Sequence, residues 1–550
     1  MRPFQKFRKG IGYGTGAVVV AGGIGYCVDE GFARFVDFQR LVMPIALKYF
    51  TTDWATRAWP QHRRDKIFNP MHEKYAQPIL DIVLRQKGFY VKIAQFASSM
   101  PGTVPDAIAD KLRYLQEDAP ARPYEVVKQI IEKEFGRPLD QIFTDFDEVP
   151  LHAASIGQVH LAKLTNGTEV AVKVQYPEAE HTFSIDMKLF IAASTILRPD
   201  AVLVLKQLQK NFANEFDYRN EAVLQRKACK LVQESGRSHI MVPEPFDAQN
   251  SVAQRHFPEL CTEGGTGLCT KSCFVMERLH GESIQKFGCK KIAEMADEKG
   301  TTETELRHEM NKLTHADMVN MMPSRTVLNL YRNYVWLYNN TLGLFGGKIE
   351  IPFDIYAISD DLFDVTSHLL FERGFCNGDP HPGNIMLLVD GRIALIDWGQ
   401  VREYNAEEIK AMASLIVAVA VRDEVQTSRF AHELGYKTKT NSDWVANKWA
   451  NFVFGCWDEY TVGDIGGVIL AEEVLNKIDP LLDLIDDKLV AGRCLIMTRM
   501  TLATLGLPIN SAKASEQAAR RCLGRGCPEM VPGRKGPEPP ENLAAVVSGM

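Results

Sequence analysis

The stretch NGDPHPGNIMLLVDGRIALIDWGQ, residues 377 to 400, constrains the fold more than any other part of the chain. It sets Asp379, Asn384 and Asp397 along a β-prone run. Two carboxylates and an amide in that order suit the chemistry of a hard divalent cation, which takes oxygen ligands. Asn384 and Asp397 are the candidate ligands, and Asp379 is the candidate base or orienting group for an acceptor. The apolar residues up to Ile396 predict a short buried strand that presents Asp397 at its end, and Gly399 leaves the following turn free. Phosphoryl transfer from ATP asks for this kind of positioning and charge neutralisation rather than covalent work. A site of that kind also needs a lysine on an upstream strand, held by a glutamate on a helix.

Both partners have candidates. In VHLAKLTNGTEVAVKVQY, residues 159 to 176, strand-prone runs flank Asn166-Gly167, a strong hairpin signal. Lys173 lies on the second strand. A helix is expected around residues 202 to 233, and it contains NEFDYRNEA with Glu215, Asp217 and Glu221. Four residues apart, Asp217 and Glu221 would share a helix face, while Glu215 would point elsewhere. Glu221 is the first choice as partner of Lys173 and Glu215 the second. Each acid alone reads as a solvated helix residue. Their order with the lysine, Asp-x4-Asn and Asp-x-Gly gives them weight.

The rest of the chain falls into segments around this core. Residues 1–30 begin basic and without an acid, then run uncharged from 11 to 28, as a targeting leader or a membrane-spanning segment would. Gly12 and Gly16 have the spacing that lets two such helices associate, so self-association through the N-terminal helix is a further expectation. Residues 31–120 read as helices, and a strand-rich lobe follows at 121–276. A larger helical lobe spans 277–440 with an insertion near 323–355, and more helices occupy 441–510. The tail 511–550 is dense in proline and glycine and reads as disordered. The fold class is therefore α+β, with a small strand-rich lobe and a larger helical one. A net charge of -6 gives no support to nucleic-acid binding. Eleven scattered cysteines read as reduced thiols; Cys261, Cys269, Cys273 and Cys289 lack paired CxxC spacing, which weighs against zinc.

These motifs together resemble the UbiB/ADCK (ABC1-type) family of atypical, protein-kinase-like proteins, most closely its mitochondrial ADCK/Mcp subgroup. The resemblance spans roughly residues 70 to 505. VKIAQ matches the family's KxGQ signature with Lys92 and Gln95, and HAASIGQVH matches its alanine-rich nucleotide loop with Ala153, Ala154, Ser155 and Gly157. EFDYRNEA matches the ExD helix, NGDPHPGN the catalytic loop, and DWG the metal-binding turn. The family implies a two-lobed kinase-like fold with an N-terminal helical extension and extra C-terminal helices. It implies ATP and Mg2+ as cofactors, with Lys173, Glu215, Asp217 and Glu277 among the nucleotide-site residues and Lys92 reaching Glu215 and Asp217. It also implies ATPase or phosphotransferase activity in lipid or ubiquinone homeostasis, with a membrane lipid or isoprenoid as partner. The implied location is the mitochondrial inner membrane, with a plastid as the alternative.

The chain departs from the family pattern at several positions. Ala94 stands where KxGQ has glycine, His152 replaces the first alanine of the nucleotide loop and reads as an exposed loop residue, and Trp398 replaces phenylalanine. His381 occupies the position where protein kinases carry a lysine, which weakens a reading as an ordinary Ser/Thr kinase. The aromatic insertion near 323–355 reads as a tucked-in structural element, with a partner or membrane surface as its alternative. Two rival functions remain open at this level. One is a nucleotide- or lipid-binding pseudokinase scaffold without turnover. The other is a small-molecule kinase of the aminoglycoside or choline type, which leaves Lys92, Gln95 and the ExD residues unexplained.

Overall fold

The Asn166-Gly167 hairpin forms as its sequence dictates in the computed structural model. Strand β3 (Gly157–Leu164) pairs antiparallel with β4 (Glu169–Gln175), with Val159 opposite Lys173. Gly167 takes φ 87°, and the Asn166 side chain accepts the Thr168 N–H at 3.0 Å. The structure describes residues 30–86, 90–91, 94, 104–117, 121–153, 156–197, 206, 209, 214–311, 317, 320–321, 323–341, 349, 354–483 and 486–548. The leader, Lys92, Gln95, Ala154, Ser155 and most of the loop at 342–353 lie outside the described residues.

Two compact units share the chain. The first comprises residues up to Tyr218 together with Leu268–Val275; the second comprises Arg219–Gly267 and Met276 onward. The boundary therefore falls at 218/219, in front of the expected one, and the C-terminal helices join the helical unit. In the first unit, β1 (Phe143–Phe146) and β2 (His152–Ala153) both pair with β3, and β4 continues the sheet to the strand that begins at Cys273. Period-two alternation buries Val170, Val172 and Val174 on one face of β4, which leaves Lys173 on the other. Helices α1 (Glu30–Thr56), α2 (Gln61–Gln86), α3 (Asp106–Glu117), α4 (Tyr124–Phe135) and α5 (Ala179–Leu197) complete this unit. One apolar cluster joins Leu80 and Val83 of α2, Tyr90, Val91 and Ala94, Ile108 and Leu112 of α3, Phe183 and Met187 of α5, and Phe216. Ala94 is buried there, so the methyl that replaces the family's glycine hydrogen is packed rather than exposed.

In the second unit, α6 (Tyr218–Glu234, apart from its first residue) leads into a four-stranded sheet of order β5-β10-β9-β7. Its strands are β5 (Ile240–Met241), β7 (Gly281–Ser283), β9 (Ile385–Leu388) and β10 (Ile393–Leu395), and Cys273–Glu277 is β6. A second ribbon pairs β8 (Phe375–Asn377) with β11 (Val401–Glu403). Among its helices are α7 (Ile284–Lys299), α8 (Arg325–Asn340), α9 (Ile355–Ser367), α10 (Ala406–Val421), α11 (Asp443–Phe454), α12 (Asp486–Thr504) and α13 (Ser511–Leu523). The side chains from Met412 to Val419 are all buried, which marks α10 as the central helix of the core. An Asn405–Glu408 capping box starts α10.

Several expectations need correction. The helix expected around 202–233 is interrupted: Lys206 and Gln209 are helical, but Glu215 sits in a 3-10 turn (Asn214–Phe216), Asp217 lies in the link after it, and the helix that carries Glu221 starts at Tyr218. The helix-face argument for Asp217 and Glu221 therefore fails, because helical spacing does not apply before residue 218. His152 is half-buried in β2, opposite Val159, rather than exposed in a loop. The insertion helix α8 is not tucked in: it buries Leu328 and Val335 but exposes Val327, Leu330, Tyr331, Tyr334, Trp336 and Leu337.

The tail is not disordered. Residues 511–523 form α13, which buries Ala512, Ala518 and Ala519, and Ser515 bonds Ser367 at 2.9 Å. Further on, the irregular segment is anchored by buried Asp423, which accepts from the Val531 N–H and the Arg534 guanidinium, both at 2.8 Å. Proline and glycine exclude regular structure there, but a buried carboxylate supplies the backbone with a partner all the same. Among the described residues the cysteines are free thiols, and no cluster of three His, Cys, Asp or Glu side chains is arranged to hold a metal.

Candidate functional site

The candidate residues divide between the two units, and each half has its own construction. In the first, Lys173 projects from the middle of β4, and its Nζ lies 4.9 Å from the centroid of the Tyr218 ring. Gly157, the last residue of the candidate nucleotide loop, is required by crowding. A Cβ there would lie 2.4 Å from the Val174 carbonyl oxygen and 2.9 Å from the Tyr218 hydroxyl. Ala153 is buried in β2, opposite Gln158.

Gln158, next in β3, is fully buried and carries a polar network. Its Oε1 accepts from the Arg122 N–H (2.7 Å) and the Tyr176 hydroxyl (2.9 Å). Its Nε2 donates to the Arg122 carbonyl (3.2 Å) and bonds His160 Nε2 (2.9 Å). The other ring nitrogen of His160 lies 2.6 Å from the Asp147 carbonyl oxygen and must donate to it, which makes Nε2 the acceptor from Gln158. Burial holds the His160 pKa below the ordinary imidazole value. Burial likewise pushes the Tyr176 hydroxyl up to about 12, against the opposing pull of Arg122, whose guanidinium lies 5.2 Å from the ring centroid.

The ExD turn belongs to the same unit. Gln175, two residues after Lys173, donates to the Glu215 carbonyl oxygen at 3.3 Å. Phe216, between Glu215 and Asp217, is buried against Phe183 with ring centroids 5.1 Å apart. The core that holds this turn therefore also holds Tyr90, Val91 and Ala94, the residues interleaved with the KxGQ-like motif.

In the second unit, Asn377 ties the catalytic-loop and metal-turn candidates together. Its Oδ1 accepts the Asp379 N–H at 2.9 Å, and its Nδ2 donates to the Asp397 carbonyl at 3.1 Å. Asn384 donates its amide to the Asp379 carbonyl at 3.1 Å, which spends the nitrogen and leaves Oδ1 as the acceptor. Asp397 has φ 62°, a left-handed backbone that is costly for an aspartate and characteristic of functional turns. Its Oδ1 accepts the Gly399 N–H at 3.3 Å. Trp398 fills the core behind this turn: it is fully buried, stacks on Phe375 with centroids 5.7 Å apart and donates to the Leu395 carbonyl. The bulk added by replacing phenylalanine is absorbed there.

Glu221 is buried near the metal turn: a Cβ built on Gly399 would lie 3.4 Å from Asp397 Oδ1 and 3.9 Å from Glu221 Oε2. Within its unit it is thus placed with Asp397. Glu277, at the exposed end of β6, exchanges backbone and side-chain hydrogen bonds with the main chain of Glu244. No sequence motif points to Arg493, whose Nη2 meets Asp379 Oδ1 at 3.0 Å from α12. Only the three-dimensional path of α12 reveals it, since 114 positions separate the two residues.

The oxygen donors Asn384 Oδ1 and the Asp397 carboxylate match the ligand chemistry of Mg2+. Comparisons with known proteins agree with the motifs. The chain is 24% identical over 450 residues to AarF domain-containing kinase 1 of Drosophila melanogaster, covering 78% of this chain and 71% of that protein. It is 22% identical over 417 residues to AarF domain-containing protein kinase 1 of Xenopus laevis, covering 74% of this chain and 65%, under two thirds, of the frog protein. Among solved structures, Rv3197 of Mycobacterium tuberculosis, determined with erythromycin, aligns with 86% of this chain and all of its own at a TM-score of 0.44 and 19% identity. The model of the ABC1 atypical kinase-like domain matches residues 114–320 and 348–430, more than half of the sequence. The chain belongs to the ABC1 atypical kinase-like family.

Proposed function

We propose that the chain binds ATP with Mg2+ and works as an atypical kinase or ATPase in lipid or ubiquinone homeostasis at a mitochondrial membrane. The observation that carries this reading is the double tie made by Asn377, which fixes Asp379 and Asp397 to one another through a single amide. Asn384 and Asp397 hold the metal, which when bound neutralises phosphate charge. Asp379 orients the acceptor hydroxyl or water and takes up its proton. Lys173 serves the phosphates from β4, and Gly157 with Ala153, Ala154 and Ser155 forms the nucleotide loop. By the family resemblance, Lys92, Gln95, Glu215, Asp217, Glu221 and Glu277 are the remaining candidate residues.

The location rests on the basic, uncharged-to-apolar pattern of the first 30 residues; among the described residues no helix is long and apolar enough to cross a membrane. A plastid is the alternative location. The test is ATP turnover and nucleotide binding by the full chain, with and without magnesium, in the presence of lipid vesicles. Asp397→Asn should lose magnesium-dependent nucleotide binding, and Asp379→Asn should bind but not turn over. Tight binding with background hydrolysis in the wild type selects the scaffold; stoichiometric phosphate transfer to a soluble alcohol or amine selects the small-molecule kinase.

A further inference from the structure

We infer that Arg493 of α12 is a positioning residue for Asp379, supplying the second unit's catalytic loop with a cation that its own sequence lacks. The inference rests on the reading of Asp379 given above. His381 occupies the place where a lysine would be expected, but it is engaged otherwise: its Nδ1 accepts the Gly383 N–H at 3.0 Å and caps the turn that carries Asn384. With Nδ1 accepting, the ring bears its proton on Nε2 alone and supplies no lysine-like cation.

Arg493 comes instead from a helix that runs along the loop. Its Nη2 donates to Asp379 Oδ1 at 3.0 Å, and its Nη1 donates to Gln400 Oε1 at 3.2 Å. Gln400 is itself fixed, because its carbonyl accepts the Gly378 N–H at 2.6 Å. The guanidinium is thus held at two points, and it fixes one carboxylate oxygen of Asp379 while the other is left to the acceptor. The same helix packs against the loop on either side of this contact. A Cβ on Gly378 would lie 2.9 Å from Val490 Cγ1, and Thr501 donates to the Pro380 carbonyl at 3.3 Å. Helix α12 lies beyond residue 430, where the match to the family domain ends.

The inference is tested by steady-state ATP turnover of the full chain as wild type, Arg493→Met, Arg493→Lys, Asp379→Asn and the Arg493→Met/Asp379→Asn double variant. Arg493→Met should lower kcat about 10- to 100-fold, with KM for magnesium-ATP unchanged within about twofold, as expected of a misoriented rather than a missing group. In the double variant the loss should equal that of Asp379→Asn alone, because Arg493 acts only through that carboxylate. Arg493→Lys should fall between wild type and Arg493→Met, since a point charge cannot hold Asp379 and Gln400 together. Should Arg493→Met fold poorly by thermal melting, the lysine variant decides: reduced kcat at constant KM supports the inference, and wild-type kcat overturns it. Losses that multiply in the double variant, or an Arg493→Met enzyme at wild-type rate, overturn this inference alone. A wild type no faster than Asp379→Asn overturns the reading of the site, and the inference falls with it.

Discussion

The two halves of the candidate site are made rigid in opposite ways. In the first unit, Lys173 and Gly157 are placed by main-chain register and by a contact so close that only glycine fits at position 157. Side-chain polarity serves there as a foundation, in the network around buried Gln158 of β3. In the second unit, the functional side chains hang on irregular loops, and other side chains hold the loop main chain: Asn377 on Asp379 and Asp397, Asn384 on Asp379, and Arg493 on the Asp379 carboxylate. A sheet can fix a residue through its neighbours' backbone, whereas a loop must borrow partners from elsewhere. The first half should therefore fail by steric change and the second by loss of single polar groups.

The largest effect is expected at Gly157. Gly157→Ala forces a methyl to within 2.4 Å of the Val174 carbonyl oxygen, so strand β3 must shift against β4. Overpacking of this kind costs about 3 kcal/mol. Chemical denaturation should show the loss in the transition of the first unit, and a variant as stable as wild type would remove crowding as the explanation for glycine. Next comes Gln158→Leu. The leucine fills the space but leaves the Arg122 amide and the Tyr176 hydroxyl without their buried acceptor. Unsatisfied buried groups cost about 1–3 kcal/mol. If the loss appeared in nucleotide binding but not in stability, the network would be part of the binding surface rather than its foundation.

The same contrast explains what could be read from the sequence. The hairpin, the place of Lys173 on its second strand and the buried strand before Asp397 were legible, because each depends on residues within a few positions of one another. Arg493 was hidden, because no pattern links it to Asp379 across the intervening helices. Glu215 and Asp217 lie just before the helix that starts at Tyr218, and the acidic and aromatic sequence there suits a helix as well as the 3-10 turn that packing of Phe216 selects. The tail was misjudged because composition reports the absence of helix and strand, not the presence of Asp423 as an anchor for Val531 and Arg534.

A smaller effect is expected for Asn377→Ala in the second unit. It deletes one hydrogen bond to each of two loops, worth about 1 kcal/mol apiece at most in global stability. Its functional cost should be larger than its structural one, with magnesium-dependent nucleotide affinity reduced about tenfold as the Asp397 turn loosens. Isothermal titration with and without magnesium measures this. Equal affinity in variant and wild type would mean that the backbone at Asp397 is held without the asparagine, and the contrast between the halves would narrow.

The smallest effect is a pH dependence confined to the first half. His160 is fully buried, donates through Nδ1 to the Asp147 carbonyl and accepts the Gln158 amide on Nε2. A second ring proton would face the Gln158 NH2 donor, and burial already disfavours the charge, so the folded state binds that proton less readily than the unfolded chain. The unfolded chain takes it up below about pH 6.5. Stability of the first unit is therefore fully present above that pH and is lost as pH falls through the lower folded value. Burial also lowers the His72 pKa in the same unit, so the informative quantity is the difference between wild type and His160→Gln, which keeps polarity but not the titration. The slope of unfolding free energy against pH between about 6.5 and 5 should be shallower in the variant. Parallel slopes would mean that Gln158 turns to accept the new proton, and that its network adapts where the main-chain contact at Gly157 cannot.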